Sequence, residues 1–537
     1  MNTKPQRPKG SQRRGLINGA LMMSVAALVA KVLSAVYRIP LQNLVGNTGF
    51  YVYQQVYPLY GIAMTFALSG LPVFISKLIA EIDDRAKQQT VAKRIFVILA
   101  VVSVLLFVGL FGGAQLIARA MGDSGLTPLI QVVAGMDLFM PFLAVGRGFA
   151  QGQFDMRPTA ISQVLEQVVR VAIIVAVAWW AAHHAWPVYK MGAWAMSGAL
   201  FGAVVAVAVF AVFYQELFSA PTVAVSQAYD WPILVKRLWR EGGTICLFAA
   251  VVILLQLVDS FTVKRGLVTM GLSQDDAKSL KGVYDRAQPL IQLGLVVATS
   301  FSATLLPTLS AAIANRRAHT VQATLTMLIH VSFALSVAAT AGLVVLMPSI
   351  NHVLFGSSTG SLALAIYCLS IVFASLISTY NSILQSMNQY RLSLVALVSG
   401  VAVKGLLNYG AVVRWGINGA SFITVVSLAV MLGVLWLGSP EAMREALTRG
   451  MFIRKLGFVT TLMAIGAVAA STQIQLWLGL GRGAAVVVTT GGVCVGVAVF
   501  IGAALWTRLF TPREWLTLPG GKTLLKVVAK MKWPSVH

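Results

Sequence analysis

The sequence predicts an all-α protein that crosses a membrane about fourteen times. Hydrophobic residues make up 58% of its 537 residues and charged residues only 11%, and the mean hydropathy is +0.80. Apolar runs of about eighteen or more residues recur along the chain, and each is long enough to cross ~30 Å of hydrocarbon as a helix. Soluble domains carry more charge than this, so we predict a polytopic membrane protein.

The apolar runs give the order of the predicted helices. The first run follows a basic segment and is too long for the apolar region of a cleaved signal peptide, so we interpret it as the first transmembrane helix. The predicted spans are 15–38, 50–79, 94–118, 127–151, 158–182, 189–213, 242–263, 285–311, 322–347, 361–386, 392–413, 416–437, 454–472 and 483–507.

Basic residues predict that both termini are cytoplasmic. With the N-terminus inside, about 26 Lys and Arg residues fall in cytoplasmic segments and about 9 outside. This asymmetry accounts for most of the net charge of +24, so we predict no nucleic-acid partner, and the basic C-terminal tail is expected to lie on the anionic inner leaflet. Six basic residues remain in or at the membrane: Lys31, Arg38, Lys77, Arg147, Arg170 and Lys404.

An internal repeat divides the predicted helices into two halves. A shift of about 234 residues lays 151–170 on 385–404, so that Arg170 meets Lys404. Two six-helix halves of the same orientation would be related by an axis along the membrane normal, with a site between them. The predicted domains are a basic cytoplasmic N-terminus (1–14), the first bundle (15–213), a cytoplasmic linker (214–241), the second bundle (242–437), two further helices (438–508) and a basic cytoplasmic tail (509–537).

Depth in the membrane separates the six basic residues, because a charge at the bilayer centre is costly unless it faces a partner or a cavity. Three of them are near a span end and are expected to extend to the interface: Lys77 and Arg147 on the cytoplasmic side and Arg38 on the outer side. The deep ones are Lys31, Arg170 and Lys404.

Arg170 has two possible roles. It could form a structural ion pair with Glu166, one turn earlier on the same helix face, or it could bind a substrate. Four residues before Lys404, where Glu166 precedes Arg170, the sequence has Gly400 and therefore no acid. The lack of an acid partner there favours a functional role for Lys404. Because the spans hold six bases and only three acids, Asp137, Glu166 and Asp259, the predicted cavity favours anions, and phosphate suits paired Arg and Lys side chains.

The eighth span offers another basic group at its start. Asp285 and Arg286 could be a simple interfacial pair, or Arg286 could turn inward with Gln288 two residues on. Enzyme motifs are absent: the GGKT of 520–523 lacks the first glycine of a phosphate-binding loop, and His183 and His184 have no partner ligands. We therefore predict a protein that is not an enzyme and has no metal site, ATP site or cofactor.

Three stretches resemble a known family. YRIPLQNLVGNTGFYVYQQVYPLYGIAMTFALSGLPVFISKLIAE, RGFAQGQFDMRPTAISQVLEQVVRV and YDRAQPLIQLGLVVATS are similar to the SpoVB/YtgP branch of the multidrug/oligosaccharidyl-lipid/polysaccharide (MOP) exporter superfamily. That branch includes relatives of the MurJ lipid II flippases. The resemblance covers essentially the whole chain and implies two bundles of six helices in a V, two further helices, alternating access and a lipid-linked cell-wall precursor as substrate.

The resemblance also implies which residues bind the substrate. Lys31 and Arg38 resemble the basic residues on the family's first helix, with a spacing of seven instead of six, and Asp285 and Arg286 match an Asp-Arg pair. Ile62 and Ala63 stand where Gram-negative members carry a basic pair, and Arg170 and Lys404 are candidates to replace it. The candidate substrate-binding residues are Lys31, Arg38, Arg170, Arg286, Lys404, Glu166, Asp285 and Gln288.

The function expected from these features is transport of an undecaprenyl-diphosphate-linked precursor, with lipid II as the leading candidate, across a bacterial plasma membrane. The tail would stay in lipid along a groove by the last two spans, and the membrane potential, an ion gradient or substrate supply would drive the step. Three alternatives remain open: another lipid-linked glycan, a drug exporter, which the basic cavity disfavours, and a non-transporting scaffold that recruits wall-synthesis enzymes.

Overall fold

The chain folds almost entirely into helices. The computed structural model describes residues 10–299, 309, 312–313, 315, 318–387, 389–448, 450–479, 481–517 and 521, and none of these residues forms a strand. The all-α, polytopic fold class predicted from the sequence is confirmed. Most of the predicted basic tail, together with Arg316, Arg317 and part of the predicted span 285–311, lies outside the described residues.

The described chain forms two compact units. The first consists of residues up to 265 together with 274–282, and the second consists of 266–273 and the residues from 283 onward. The predicted linker 214–241 therefore lies within the first unit, and the division comes at the end of the seventh predicted span. The predicted V shape and symmetry axis stay predictions.

In the first unit, long helices alternate with short turns of 3₁₀ and π helix. The π segments are Phe66–Gly70 and Leu238–Gly242, and the 3₁₀ segments are Ser124–Leu126, Gly135–Phe139 and Gln227–Tyr229. The α-helices are Gly10–Val36, Arg38–Thr65, Leu71–Ala80, Arg85–Gly112, Ala114–Ala120, Thr127–Ala134, Met140–Gly152, Arg157–His183, Val188–Ala208, Ala211–Ser219, Trp231–Arg237, Gly243–Ala249, Val251–Thr269 and Gln274–Asp285, the last two of which cross the unit boundary.

The second unit contains helices of 6 to 49 residues. They are Ala287–Thr299, Ala318–Val345, Met347–Phe355, Ser361–Cys368, Ser370–Ser386, Tyr390–Gly438, Glu441–Thr448, Phe452–Leu478, Arg482–Trp506 and Pro512–Thr517. Within this unit, Phe452–Leu478 and Arg482–Trp506 pack closely along each other. They correspond to the two helices that the sequence predicts after the second bundle.

Ten helical stretches in the described part of the chain are long and apolar enough to cross a membrane, or eleven if a span bent by 68° between Trp231–Ala249 and Val251–Thr269 is included. Two of them, Val25–Ala80 and Arg391–Gly438, have 56 and 48 residues, although about 20 suffice for one crossing. Each contains a glycine with positive φ, Gly46 at 69° and Gly416 at 58°, a conformation that interrupts a helix and favours glycine. These breaks agree with the predicted pairs of spans, and the total of fourteen stays a prediction.

Local sequence explains where several helices begin. The Asp84 carboxylate accepts a hydrogen bond from the Ala86 N–H at 2.8 Å and caps the helix Arg85–Gly112. Prolines in the first turn, such as Pro128, Pro141 and Pro158, start three further helices without the loss of an internal hydrogen bond. Apolar content thus sets the spans, and capping residues and prolines set their ends.

The helices Arg157–His183 and Val188–Ala208 approach each other closely because small residues line their contact. A Cβ atom at Gly202 would lie 2.7 Å from the Glu166 carbonyl oxygen, and one at Gly198 would lie 3.0 Å from the Arg170 carbonyl oxygen. Small residues are the usual means of close helix packing in membranes, where apolar burial adds little. This contact fixes the helix that carries Glu166 and Arg170.

Glu166 forms an ion pair with Arg147 and not with Arg170. The Arg147 Nη2 donates to the Glu166 Oε2 at 2.6 Å, and its Nε donates to the Ser162 Oγ at 3.1 Å. Both charged side chains are essentially inaccessible. The prediction that Arg147 extends to the interface is therefore wrong, and of the two roles left open for Arg170 the ion pair with Glu166 is not formed. The nearer partner in space prevails over the partner one turn away in sequence.

We expect that Arg147→Met lowers the free energy of unfolding by about 3–5 kcal/mol, because it leaves the Glu166 carboxylate buried without its cation. Arg147→Met combined with Glu166→Leu should recover most of that loss, since two apolar side chains replace the whole pair. Denaturant unfolding of the purified protein in detergent micelles measures both effects.

Arg85→Met is the matched control, because Arg85 pairs with Glu216 at 3.1 Å where both side chains are more than half exposed. An exposed pair contributes about 1 kcal/mol or less. Equal stability of Arg147→Met and the unmodified chain would contradict a structural role for the buried pair.

Candidate anion-binding site

Arg170 lies at the centre of a group of tyrosines in the first unit. Its Nη1 donates to the Tyr60 hydroxyl at 2.8 Å and to the Gln167 Oε1 at 3.2 Å, and its Nη2 donates to the Tyr37 hydroxyl at 3.0 Å. Only 2% of Arg170 is exposed. Every one of these partners is neutral, and among the described residues no carboxylate forms a salt bridge with this guanidinium.

Arg38 contacts the same group of tyrosines. Its guanidinium carbon lies 4.4 Å from the centre of the Tyr57 ring and 5.8 Å from that of Tyr37. The Arg170 guanidinium lies 5.3 Å from the Tyr37 ring and 4.5 Å from the Tyr60 ring. Arg38 is buried, although the sequence predicted that it would extend to the outer interface. Two of the predicted site residues are thus brought together.

Four tyrosines, Tyr37, Tyr53, Tyr57 and Tyr60, form what we call the tyrosine cluster. Tyr53, Tyr57 and Tyr60 lie on one face of the helix Arg38–Thr65, because their spacing of four and three matches its turns. Tyr37 lies at the junction of the first two helices, and its hydroxyl is 3.0 Å from that of Tyr53. Electron-rich ring faces and hydroxyl oxygens both attract guanidinium groups, so the cluster stabilises positive charge.

The sequence analysis did not select these tyrosines. Their helical spacing within an apolar span next to Arg38 is the signal that could have identified them. Lys31, also predicted for the site, lies on the helix Gly10–Val36 with an exposed side chain. Its role in substrate binding stays a prediction.

The remaining predicted residues lie in the second unit. Arg286 is buried and donates from Nη1 to the Asn351 Oδ1 at 3.1 Å, and Asp285 beside it is also buried. The Gln288 Nε2 donates to the Tyr367 hydroxyl at 3.0 Å. Asn351 and Tyr367 are site candidates that the sequence analysis missed.

Lys404 is completely buried in the second unit. Its Nζ donates to the Thr424 Oγ1 at 2.5 Å and lies 6.0 Å from the centre of the Tyr367 ring. Tyr367 also stacks on Tyr284 with ring centres 5.2 Å apart. Gln288 and Lys404 thus contact one tyrosine. The prediction that all the basic residues join one shared pocket stays a prediction.

An apolar groove lies in the second unit beside its last two long helices. Its volume is about 520 Å³, and all of its lining residues are apolar or glycine, among them Leu290, Leu335, Met463, Val493 and Phe500. Most of its lining residues lie on four helices, Ala287–Thr299, Ala318–Val345, Phe452–Leu478 and Arg482–Trp506, and the short helices Met347–Phe355 and Pro512–Thr517 add Ile350 and Trp515. Such a surface suits an acyl or prenyl chain better than a sugar.

Metal ligands are not grouped in the part of the chain that the structure describes. Within it, no three residues among His, Cys, Asp and Glu lie close enough together to hold a metal ion.

Comparison with known sequences identifies the family. The sequence profile described as "Polysaccharide biosynthesis protein" matches residues 16–313. The uncharacterized membrane protein YabM of Bacillus subtilis is 36% identical over 524 residues, which cover 97% of this chain and 98% of YabM. The lipid II flippase MurJ of the same organism is 24% identical over 447 residues, covering 78% and 81%. Stage V sporulation protein B is 32% identical over 173 residues, covering 30% and 32%.

Solved structures show the same fold. A lipid II flippase MurJ in an inward closed conformation has a TM-score of 0.65 at 12% identity, covering 91% of this chain and 99% of that one. An inward-facing MATE transporter of the MOP superfamily has a TM-score of 0.61 at 15% identity, covering 82% and 99%. The relatives with a named activity are transporters or flippases and not enzymes. The chain therefore has the fold of the MOP transporters and belongs to the polysaccharide biosynthesis protein family, as a homologue of MurJ and SpoVB.

Proposed function

We propose that this chain is a flippase that moves lipid II, an undecaprenyl-diphosphate-linked precursor, from the inner to the outer leaflet of a bacterial plasma membrane by alternating access. Homology to a lipid II flippase over 78% of the chain supports the substrate. The observation that carries the proposal is the buried Arg170 guanidinium, whose partners are all neutral.

A charge in this position requires compensation. Desolvation of an ion costs several kcal/mol even in a relaxed protein interior, and tyrosine hydroxyls and ring faces return only part of that. Glu166, the nearest acid along the helix, is bound by Arg147. The charge of Arg170 is therefore available to a bound anion, and Arg38 contacts the same tyrosines.

The hydrogen-bonding capacity of Arg170 indicates the kind of anion. A guanidinium has five N–H donors, and three of them are used by Tyr37, Tyr60 and Gln167. The Tyr53 hydroxyl is a further neutral hydrogen-bond partner of this guanidinium. A guanidinium can present two neighbouring donors to two oxygens of a phosphate, so exchange of neutral hydroxyl partners for an anion would give a bidentate contact. A diphosphate offers both the charge and the oxygens.

The apolar groove of the second unit supplies the second part of the proposal. Its continuous apolar lining fits the prenyl tail of the precursor, while the sugars and diphosphate bind to polar residues. This division lets the tail stay in hydrocarbon throughout the step. The proposal requires no ATP site, and the membrane potential or an ion gradient supplies the energy.

A second candidate substrate is another lipid-linked glycan. The family profile is that of polysaccharide biosynthesis proteins, and the relative that aligns over 97% of the chain has no assigned substrate. Because such glycans share the prenyl diphosphate, the same arginines and groove serve them equally well. Competition between lipid II and an undecaprenyl-diphosphate-linked polysaccharide unit in the transport assay separates the two.

Arg170→Gln should lower the rate of lipid II flipping in proteoliposomes by about 10- to 100-fold, because it removes the charge and the donors of a bidentate contact. Fluorescently labelled lipid II and a membrane-impermeant quencher measure the rate. Arg157→Gln is the control, since Arg157 starts the same helix with an exposed side chain, and it should flip at the normal rate. Normal flipping by Arg170→Gln would contradict the anion site and favour a scaffold role.

Val493→Trp should lower flipping of the full-length substrate several-fold by filling the apolar groove, without weakening the binding of a short-chain diphosphate analogue. Val487→Trp on the same helix is the matched control, because Val487 is similarly exposed and does not line the groove. Flipping assays and analogue titrations on both variants give the comparison. Equal flipping rates for the two variants would contradict a role of the groove in tail binding.

A further inference from the structure

Asp137 is a carboxyl group in the middle of a membrane span. It belongs to the stretch Ser124–Gly152, which is long and apolar enough to cross the membrane, and it is halfway along that stretch. Only 7% of the residue is exposed. Among the described residues, no hydrogen bond or ion pair involves its side chain. An acid in this position is largely buried and has no cationic side chain bonded to it among the described residues.

The charged groups of the surrounding helices are used elsewhere. Gly135–Phe139, the 3₁₀ segment that contains Asp137, packs against five helices: Arg38–Thr65, Arg85–Gly112, Thr127–Ala134, Met140–Gly152 and Val188–Ala208. The charged side chains of these helices contact other groups or are exposed. Ion pairs join Arg85 to Glu216, Arg94 to Asp230 and Arg147 to Glu166, while Arg38 contacts the Tyr57 ring, Lys190 contacts the Trp186 ring, Lys93 donates to the Ala220 carbonyl and Lys87 is exposed in the first turn of its helix. Of the tyrosines, Tyr51 and Tyr189 donate to Asp123, and Tyr53, Tyr57 and Tyr60 belong to the tyrosine cluster.

One further polar group is buried at a similar depth. Phe96 on the helix Arg85–Gly112 contacts Phe142 on the helix Met140–Gly152, with ring centres 4.9 Å apart. Because the two helices run antiparallel, residues that follow Phe96 lie at the same depth as residues that precede Phe142. Ser103 lies on that part of the helix Arg85–Gly112, and 1% of it is exposed. The Ser103 Oγ also has no hydrogen-bond partner within the described residues. One hydroxyl cannot replace the several oxygens that a metal cation requires.

The backbone around Asp137 is interrupted. The α-helix ends at Ala134, continues as a 3₁₀ segment to Phe139 and resumes at Met140, with Pro141 in its first turn. A 3₁₀ stretch within a span is a common position for a hinge. A small rotation there would change whether the carboxyl faces apolar side chains or water.

We propose that Asp137 is a proton-binding site. In the conformation described here the carboxyl is protonated, because an unpaired carboxylate is strongly disfavoured in an apolar interior and takes up a proton instead. When movement of the segment Gly135–Phe139 admits water, the carboxyl releases that proton to the solvent. Coupling of this exchange to lipid flipping rests on the proposed function, whereas proton binding itself does not.

Infrared spectroscopy of the full chain in lipid nanodiscs tests proton binding directly. At neutral pH an ordinary aspartic acid is ionised, since its pKa is about 3.9. The unmodified protein should nevertheless show the C=O stretch of a protonated carboxylic acid, and Asp137→Asn should remove it. Identical spectra for the two proteins in this region would overturn the proposal.

Asp123→Asn is the matched control. Asp123 precedes the same span and is similarly buried, but it accepts hydrogen bonds from the hydroxyls of Tyr51 and Tyr189 at 3.0 and 2.9 Å. Because Asp123 has hydrogen-bond donors that Asp137 lacks among the described residues, Asp123→Asn should leave the C=O band unchanged. If Asp123→Asn removes the band and Asp137→Asn does not, the protonated carboxyl is that of Asp123, and the proposal is overturned. Loss of the band when NaCl replaces KCl would identify a sodium site and overturn it as well.

Transport provides the second measurement. An imposed pH gradient should change the flipping rate of the unmodified protein several-fold, and the flipping rate of Asp137→Asn should not respond to the gradient. An equal response of both proteins would overturn the coupling. If the unmodified protein flips no lipid II, the proposed function fails, and the infrared band still decides whether Asp137 binds a proton.

Discussion

The contact between the Arg170 guanidinium and neutral tyrosines is the interaction on which the candidate site depends. Arg170 donates to the hydroxyls of Tyr37 and Tyr60 from a fully buried position. Arginine stays charged in proteins, so the surrounding residues must stabilise the cation itself. Ring faces and hydroxyl oxygens do so without cancelling the charge, whereas a carboxylate would cancel it. The arrangement therefore keeps positive charge available for a ligand.

Two buried arginines of the first unit illustrate two different uses of the same side chain. Arg147 is neutralised by Glu166 at 2.6 Å and joins two helices. Arg170, one turn after Glu166, has no acid of its own among the described residues. The acid that could have neutralised Arg170 is held by a neighbouring helix. Arg170 thus has no acid partner among the described residues because the packing of Met140–Gly152 against Arg157–His183 gives Glu166 to Arg147.

The sequence predicted the helical fold well, because span length and apolar content are direct consequences of crossing a bilayer. Arg38 and Arg170 were predicted as site residues from charge and resemblance, and the structure places them on shared tyrosines. The partner of Glu166 could not be predicted, because Arg147 reaches it from another helix and local spacing suggested Arg170 instead. The division into compact units at residue 265 has no counterpart in the sequence, since no break in composition marks it.

The different chemistry of acids and arginines explains why both kinds of buried group coexist in one unit. A buried carboxyl can become neutral by binding a proton, as we propose for Asp137, so it needs no counter-charge in its apolar position. A buried guanidinium cannot become neutral at any pH that the cell experiences. The tyrosine cluster therefore stabilises the Arg170 cation, and in the proposed function an anion neutralises it. On the proposed function, binding of a diphosphate would remove an electrostatic cost that is already built into the fold, and this would favour an anionic headgroup over a neutral one.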